Sequence, residues 1–147
     1  MTKIETFTPL RKPSENQKQE LIEFLHHHLE GFGDPRHQIK KAIDYSLKEY
    51  TSFGGFISAI YENEKPIAAV VVNQTGMGGY IPENILVYIA THADYRGKGL
   101  GRNLMEHTIG IAQGDIALHV EPDNPAKRLY EKLGFTNKYL EMRLTKH

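Results

Sequence analysis

The chain has 147 residues, no cysteine, and 18 basic residues that balance 18 acidic ones. This length fits one domain with its own core, which we expect over residues 1–147. The absence of cysteine excludes disulfides, thiolate metal sites and an acyl-cysteine intermediate. Because the charges cancel, the chain has no overall electrostatic field that would attract nucleic acid or an anionic membrane surface.

Two amphipathic helices are predicted early in the chain. The first begins at Ser14, an N-cap with Gln17 as its capping-box partner, and carries leucine and isoleucine at helical spacing up to Gly31. The second has Asp34 as its cap and Pro35 at its first helical position.

The pattern then changes to that of strands. The segments FISAIYE (56–62) and IAAVVVNQ (67–74) are rich in β-branched and aromatic residues, and the turn NEKP between them predicts a hairpin. The segment ILVYIATH (85–92) predicts a strand that is covered on both faces and ends at Thr91. A further strand is predicted over IALHV (116–120).

Two more helices and a last strand complete the prediction. One helix starts near Gly99, and a short one has Asn124 as its cap, Pro125 at its first position and Gly134 at its end. The segment NKYLEMRLTK (137–146) alternates in polarity, which predicts a final strand.

Neither a membrane span nor a secretory signal is predicted. No apolar run approaches the roughly 18–20 residues that a span requires, and the N-terminal residues lack the apolar core of a signal peptide. We therefore expect a cytoplasmic protein without a membrane partner.

The stretch ADYRGKGLGRNL (93–104) places Gly97, Gly99 and Gly101 between a strand and a helix. Free backbone N–H groups at a helix N-terminus bind anions, and glycine lets phosphate oxygens approach the backbone. Three cations lie in the same stretch, namely Arg96, Lys98 and Arg102. The stretch is therefore a candidate anion site, and a flexible surface turn with solvated cations is the alternative.

Two common phosphate motifs do not fit this stretch. No window supplies G-x-x-x-x-G-K-[ST], and Arg102 stands where a dinucleotide fingerprint needs its last glycine. The pattern that fits is R-x-x-G-x-G at Arg96, Gly99 and Gly101, and VEPDNPAKRLYEKLGF (120–135) follows about 25 residues later.

These two motifs, in this order, resemble those of the GNAT N-acetyltransferase superfamily. The resemblance covers most of the chain and is closest from Ile85 to Phe135. It implies an α/β fold with a mixed, largely antiparallel twisted sheet, helices on both sides, and fourth and fifth strands that splay apart. It also implies acetyl-CoA as the co-substrate of an N-acetyltransferase.

The resemblance assigns cofactor-binding roles to three segments. It implies that the diphosphate of acetyl-CoA binds the backbone of the glycine stretch and that pantetheine lies along the fourth strand, where the Ile89 N–H polarises the acetyl carbonyl. An asparagine at the position of Asn124 bonds the pantetheine arm in relatives, and Lys127 and Arg128 are either partners of the 3′-phosphate or solvated cations. The implied cofactor-binding residues are Ile89, Ala90, Thr91, Arg96, Gly97, Lys98, Gly99, Leu100, Gly101, Arg102, Asn124, Ala126 and Tyr130.

The resemblance indicates a catalytic acid but no single general base. Tyr130 matches the family tyrosine that gives a proton to the CoA thiolate, although helical spacing also places it on an apolar face where it would pack. Some relatives carry a glutamate where this chain has Ile85, so the general base is open: Glu83 and Asn84 are close in sequence, His119 lies on the fifth strand, and a chain of water molecules is the alternative. The alternation of the fifth strand places His119 and Glu121 on one face.

The acceptor is expected to be a primary amine of a small molecule or peptide. The resemblance places the early helices and the loop before the fourth strand around it, with Glu30, Asp34 and Glu83 as candidate partners of a cationic amine. The three consecutive histidines at 26–28 point about 100 degrees apart on a helix, so no metal site is expected. Dimers are common among relatives, and the final strand is either an interface or a plain edge.

Two other functions remain open on the sequence. A CoA-binding or acyl-CoA-binding sensor without turnover would keep Arg96 to Arg102 and lack a base. A nucleic-acid module built on RGKGLGR would bind with strong salt dependence, and the neutral charge of the chain disfavours it.

Overall fold

The computed structural model describes residues 2–146 and contains one five-stranded sheet with helices on both faces. The strands are β1 (Thr2–Phe7), β2 (Gly55–Glu62), β3 (Lys65–Gln74), β4 (Asn84–Thr91) and β5 (Ile116–Leu118). They lie in chain order across the sheet, and all neighbours are antiparallel except β4 and β5, which are parallel. The predicted fold class is confirmed.

Within residues 2–146, four helices cover the sheet. Their bounds are α1 (Glu15–His28), α2 (Arg36–Ser46), α3 (Leu100–Ile111) and α4 (Lys127–Lys132), with 3₁₀ turns at Glu30–Phe32 and Ala93–Tyr95. The core has two layers, with α1 and α2 packed on one face of the sheet and α3 and α4 on the other. None of the helices within residues 2–146 is long and apolar enough to cross a bilayer.

The helix starts show which capping predictions hold. Ser14 and Gln17 form the expected capping box, in which the Gln17 N–H donates to Ser14 Oγ at 3.1 Å and the Ser14 N–H donates to Gln17 Oε1 at 2.9 Å. Asp34 does not cap α2, because its carboxylate instead accepts a hydrogen bond from the Tyr88 hydroxyl at 2.6 Å. The first helix ends at His28, three residues before the predicted Gly31.

The two ends of the chain differ most from the prediction. Strand β1 was not predicted, although it pairs with β2 from Thr2 to Phe7. The final strand predicted over 137–146 is wrong, because this segment has no regular secondary structure and no sheet partner within residues 2–146. Alternation marks a segment that can form a strand, and a strand also needs a neighbour for its backbone N–H and C=O groups.

The fifth strand is also shorter than predicted. It ends at Leu118, so His119 and Glu121 lie beyond it and do not share a strand face. Both residues are exposed. The short pairing of this strand shapes the site described next.

Candidate active site

The candidate active site is the gap where β4 and β5 separate. The two strands pair only at Asn84↔Ile116, Ile85↔Ala117 and Leu86↔Leu118, while β4 continues to Thr91. Beyond Leu86, the β5 side of β4 therefore has no strand partner within residues 2–146. The predicted splay of the fourth and fifth strands is present.

A β-bulge decides which backbone groups face this gap. Tyr88 lies opposite Val71 and Leu86 lies opposite Val72, which leaves Val87 as the extra residue of β4. A bulge reverses the alternation of backbone direction along the strand. Before Val87, the N–H groups of even-numbered residues face β5, and after Val87 the N–H groups of odd-numbered residues face that side.

The Ile89 N–H faces the gap by this alternation. The His92 N–H donates to the Ile67 carbonyl on β3 at 2.8 Å, so the N–H groups two and four residues earlier, those of Ala90 and Tyr88, also face β3. The N–H groups of Ile89 and Thr91 consequently face the β5 side, where the strands have separated. The Ile89 side chain packs at the same time in the core layer under α3.

The glycine stretch forms a backbone cradle at the end of β4. Gly97 and Gly99 have φ of 80° and 81°, a left-handed conformation that costs other residues about 1–2 kcal/mol. Gly99 is the N-cap of α3. Within residues 2–146, none of the six amides from Gly97 to Arg102 has a hydrogen-bond partner. Six free N–H groups at the positive end of a helix make a site for an anion such as a diphosphate.

Arg96 connects this cradle to α1. Its Nη2 donates to the His28 carbonyl at 3.0 Å, its Nη1 lies 3.4 Å from Glu30 Oε1, and its Nε donates to the Thr91 carbonyl at 3.4 Å. The contact with His28 places a cation at the C-terminus of α1, where the helix dipole favours positive charge. Arg96 therefore fixes the position of the glycine stretch relative to α1.

The other two cations of the stretch are in looser contact. Lys98 Nζ lies 5.3 Å from the centre of the Tyr95 ring, and Arg102 lies 3.8 Å from Glu106 one helical turn away. Exposed pairs of this kind contribute little and rearrange readily. Lys98 and Arg102 are therefore available to a bound phosphate.

His28 lies buried under the start of the glycine stretch. Its ring is 4.3 Å from the His92 ring and 4.6 Å from the Phe24 ring. Burial, together with the neighbouring His92, His27 and Arg96, lowers the pKa of His28 to about 4. The ring is neutral at neutral pH and serves as part of the packing.

Tyr130 lies on α4 and packs into the core layer on the α3 side of the sheet. Its side chain is 7% exposed, its ring centre lies 6.0 Å from that of Phe135, and it belongs to the core layer that contains Leu104 and Met105. Burial raises the pKa of Tyr130 to about 12, so the phenol keeps its proton at neutral pH. Its hydroxyl makes no hydrogen bond with any group of the described chain. The packing expected from helical spacing is confirmed, and the role of proton donor stays a prediction.

Asn124 was expected to cap α4, but the N-cap of this helix is Ala126, and Asn124 caps the turn before it. Its Oδ1 accepts a hydrogen bond from the Ala126 N–H at 2.9 Å, and regular helix begins three residues after Asn124, at Lys127. A surface cavity of about 490 Å³ is lined by Asn124, Lys127, Arg128 and neighbouring residues. The end of α4 is as predicted, since Gly134 follows it with φ of 103°.

The structure separates the two side chains considered as general bases. Glu83 precedes β4, and its Oε1 accepts a hydrogen bond from the Asp115 N–H at 2.9 Å, which lowers the pKa of Glu83. Six residues of extended chain, about 20 Å, separate Glu83 from Ile89. His119 is the first residue after the last β4–β5 pair, so it lies at the point where the gap opens.

The loop between α1 and α2 runs beside β4 on its other face. Asp34 bonds Tyr88, and Glu30 lies near Arg96. Burial and the Asp34 carboxylate both raise the pKa of Tyr88, so its hydroxyl stays a donor to Asp34. Sequence reasoning named Asp34 and Glu30 and missed Tyr88, because strand alternation alone does not show which tyrosine meets a loop.

No metal centre accompanies these groups in the part of the chain that is described. Residues 2–146 contain no group of three or more histidine, aspartate or glutamate side chains arranged to hold an ion. The three consecutive histidines at 26–28 pack partly against one another, with the His27 and His28 rings 4.6 Å apart.

Comparison with known proteins identifies the family of this chain. The sequence model of the acetyltransferase (GNAT) family matches residues 20–135, which is most of the chain. The chain belongs to the GNAT family. The match includes both motifs, from the glycine stretch to the segment that ends at Phe135.

Solved structures of similar fold include acetyltransferases. The ribosomal-protein-S18-alanine N-acetyltransferase of Escherichia coli is 22% identical and has a TM-score of 0.66, over 92% of this chain and 78% of that one. A probable acetyltransferase from meticillin-resistant Staphylococcus aureus is 21% identical with a TM-score of 0.68, over 99% of this chain and all of that one. At 21–22% identity, these structures show that the chain shares their fold.

Sequence relatives include the cysteine-rich protein 2-binding proteins of mouse and human. Each is 35% identical to the chain over 60 residues. The match covers 40% of this chain and only 8% of each relative. This GNAT chain is thus similar to a small part of those proteins.

Proposed function

We propose that this GNAT chain transfers the acetyl group of acetyl-CoA directly to a primary amine of a small molecule or peptide, within a ternary complex. One observation carries the proposal: β4 has backbone groups without a strand partner beyond Leu86, and the free amides from Gly97 to Arg102 follow at the end of the same strand, after the turn at Ala93–Tyr95. These two sets of groups match a ligand that has a diphosphate at one end and an amide-bearing arm at the other. Acetyl-CoA, when bound, supplies an acyl group activated as a thioester.

The chain's own groups support each step of the transfer. The amine nitrogen forms a bond to the thioester carbon, and the Ile89 N–H donates to the carbonyl oxygen as it gains negative charge. The carbon–sulfur bond then breaks, and the Tyr130 hydroxyl gives its proton to the sulfur. With no cysteine in the chain, the acetyl group goes to the amine without an acyl-cysteine intermediate.

The proton of the attacking amine needs an acceptor at the opening of the gap. We propose His119, directly or through water, because it follows the last β4–β5 pair and histidine is the side chain that most often acts as a general base. Glu83 supports this less well, since its carboxylate is bonded to the Asp115 N–H at the far end of β4. His119→Gln should lower kcat by about 10²–10⁴-fold, and Glu83→Gln should leave kcat unchanged.

The acceptor is recognised, in this proposal, by the α1–α2 loop. Asp34 is fixed by Tyr88 one residue from Ile89 in sequence, so its carboxylate lies beside the reacting strand and favours an acceptor with a positive charge. The cytoplasmic location, the absence of nucleic-acid and membrane partners, and the single-domain organisation over 1–147 remain predictions from the sequence.

Initial-velocity kinetics test this proposal. Acetyl-CoA is varied against a panel of amines that includes a diamine, an aminoglycoside and short peptides with free N-termini. We expect release of CoA with at least one amine and intersecting double-reciprocal lines. Binding of acetyl-CoA without turnover of any amine would favour the silent CoA-binding sensor, and parallel lines would contradict direct transfer.

A further inference from the structure

The turn Ala93–Tyr95 lies between β4 and the glycines of the candidate anion site. Ala93 and Asp94 are exposed, and a Cβ added at Gly97 or Gly99 would meet no atom of the described chain within 4 Å. No group of that chain packs against the Cβ side of these two glycines, so the bonds to the turn before them have a large share in fixing the stretch.

Two histidine rings accept hydrogen bonds from the backbone of this turn. His28 Nδ1 accepts from the Ala93 N–H at 3.4 Å, and His92 Nδ1 accepts from the Asp94 N–H at 3.1 Å. His92 is also the N-cap of the turn, so its ring bonds an amide that the short helix itself leaves without a partner. The two ring centres lie 4.3 Å apart, so each ring supports the orientation of the other.

A histidine ring accepts such a bond only while the accepting nitrogen carries no proton. A neutral imidazole whose Nδ1 accepts has its proton on Nε2, whereas a protonated imidazole has donors at both nitrogens. Burial, together with the neighbouring His92, His27 and Arg96, lowers the pKa of His28 to about 4 against the opposing effect of Glu30. The His28 ring is therefore able to accept at neutral pH.

His28 also bonds the glycine stretch through its own backbone. Its carbonyl accepts a hydrogen bond from Arg96 Nη2 at 3.0 Å, and its ring lies against Phe24 of α1, with the ring centres 4.6 Å apart. Tyr95, the last residue of the turn, is held from β2, because its hydroxyl donates to Glu62. Groups from α1, β2 and the end of β4 thus meet at this one turn.

We propose that His28 and His92 are positioning residues, which hold the Ala93–Tyr95 turn, and with it the free amides from Gly97 to Arg102, in the position that binds the diphosphate of acetyl-CoA. The inference rests on the proposed function, since it assumes that the glycine stretch binds this diphosphate. Loss of one of the two bonds lets the turn take other conformations, and the apparent affinity falls with the fraction of molecules that keep the competent one. The dissociation constant of CoA should then rise about 3–10-fold, the effect of losing one hydrogen bond.

Paired substitutions test the accepting nitrogen of each ring. Asparagine has a side-chain oxygen that can accept the same N–H, whereas leucine is of similar size and has no acceptor. In calorimetric titration, His28→Leu and His92→Leu should each weaken CoA binding about 3–10-fold, and His28→Asn and His92→Asn should restore most of the affinity. The matched controls are His27→Leu and His27→Asn, at the exposed neighbouring histidine, which should bind CoA as the natural chain does.

Two further measurements separate positioning from a loss of folding. In steady-state kinetics the leucine variants should raise the KM for acetyl-CoA and keep kcat at saturation, whereas partial unfolding would lower kcat. In hydrogen exchange without CoA, the Ala93 amide of His28→Leu and the Asp94 amide of His92→Leu should exchange faster than in the natural chain, and the asparagine variants should reverse this change.

The outcomes distinguish this inference from the proposed function. A natural chain that binds CoA, with leucine variants that bind it equally well or asparagine variants that are as weak as the leucine variants, would overturn the inference alone. Unchanged exchange of both amides in the leucine variants would overturn it too. A natural chain that binds no CoA would overturn the proposed function and the inference with it.

Discussion

The burial of His28 predicts a specific loss of stability in mild acid. His28 has a pKa of about 4 in the folded protein, against an ordinary value of 6.5, because it is buried and faces His92, His27 and Arg96, with Glu30 as the opposing charge. Between these two values the unfolded chain binds a proton that the folded chain does not bind, so the free energy of unfolding decreases as the pH decreases. At 1.36 kcal/mol for each pKa unit, the loss from about pH 7 to about pH 5 is about 2 kcal/mol.

Urea unfolding at a series of pH values measures this loss. His28→Gln removes the titrating ring and should flatten the dependence on pH over this range, while His37→Gln, at an exposed histidine of α2, should leave it unchanged. Carboxylates with a lowered pKa, such as Asp44 and Glu49, lose their stabilising effect mostly below this range, since their ordinary values are 3.8 and 4.5. An unchanged slope in His28→Gln would refute the reasoning.

Three further predictions concern single substitutions. Gly99→Ala should lower the free energy of unfolding by about 1–2 kcal/mol, because the φ of Gly99 is 81°. Gly101→Ala should leave the free energy of unfolding unchanged or raise it by up to about 1 kcal/mol, because the added Cβ meets no atom closer than 3.6 Å. Thermal unfolding compares the two variants, and equal losses of stability would contradict the assigned conformations. Tyr130→Phe should lower kcat by about 10²–10⁴-fold and leave CoA affinity unchanged in calorimetry, and an undiminished kcat would exclude Tyr130 as the acid. Lys18→Met should cost about 1–3 kcal/mol in urea unfolding because it leaves the buried Asp44 with only Lys40 as a partner, and a neutral result would contradict a stabilising pair.

The sequence predicted the elements that are specified by local signals. The capping box at Ser14 is determined by residues three positions apart, and the end of β4 at Thr91 is marked by the change from an apolar run to a glycine stretch. The start of α3 after Gly99 follows from the same glycines, since only a left-handed residue fits there easily. The separation of β4 and β5 was predicted from the family resemblance, because no residue pattern within either strand indicates it.

The features that the sequence did not predict depend on contacts between distant residues. The bulge at Val87 arises from the pairing of β4 with β3, and it decides that the Ile89 N–H faces the gap. Asp34 was expected to cap α2 and instead bonds Tyr88, which lies 54 residues away. The segment 137–146 has the alternation of a strand, and alternation does not show whether a partner strand is available.

Calorimetric titration of CoA tests the central claim most directly. The natural chain should bind CoA and fail to bind pantetheine, which lacks the diphosphate, and Gly99→Glu should abolish CoA binding. Gly79→Glu is the matched control, because Gly79 also has a positive φ, 77°, and open space around it, in a loop away from the cradle. Its CoA affinity should equal that of the natural chain. A natural chain that does not bind CoA, or a Gly99→Glu variant that binds it unchanged, would contradict the assignment of the glycine stretch as the diphosphate site.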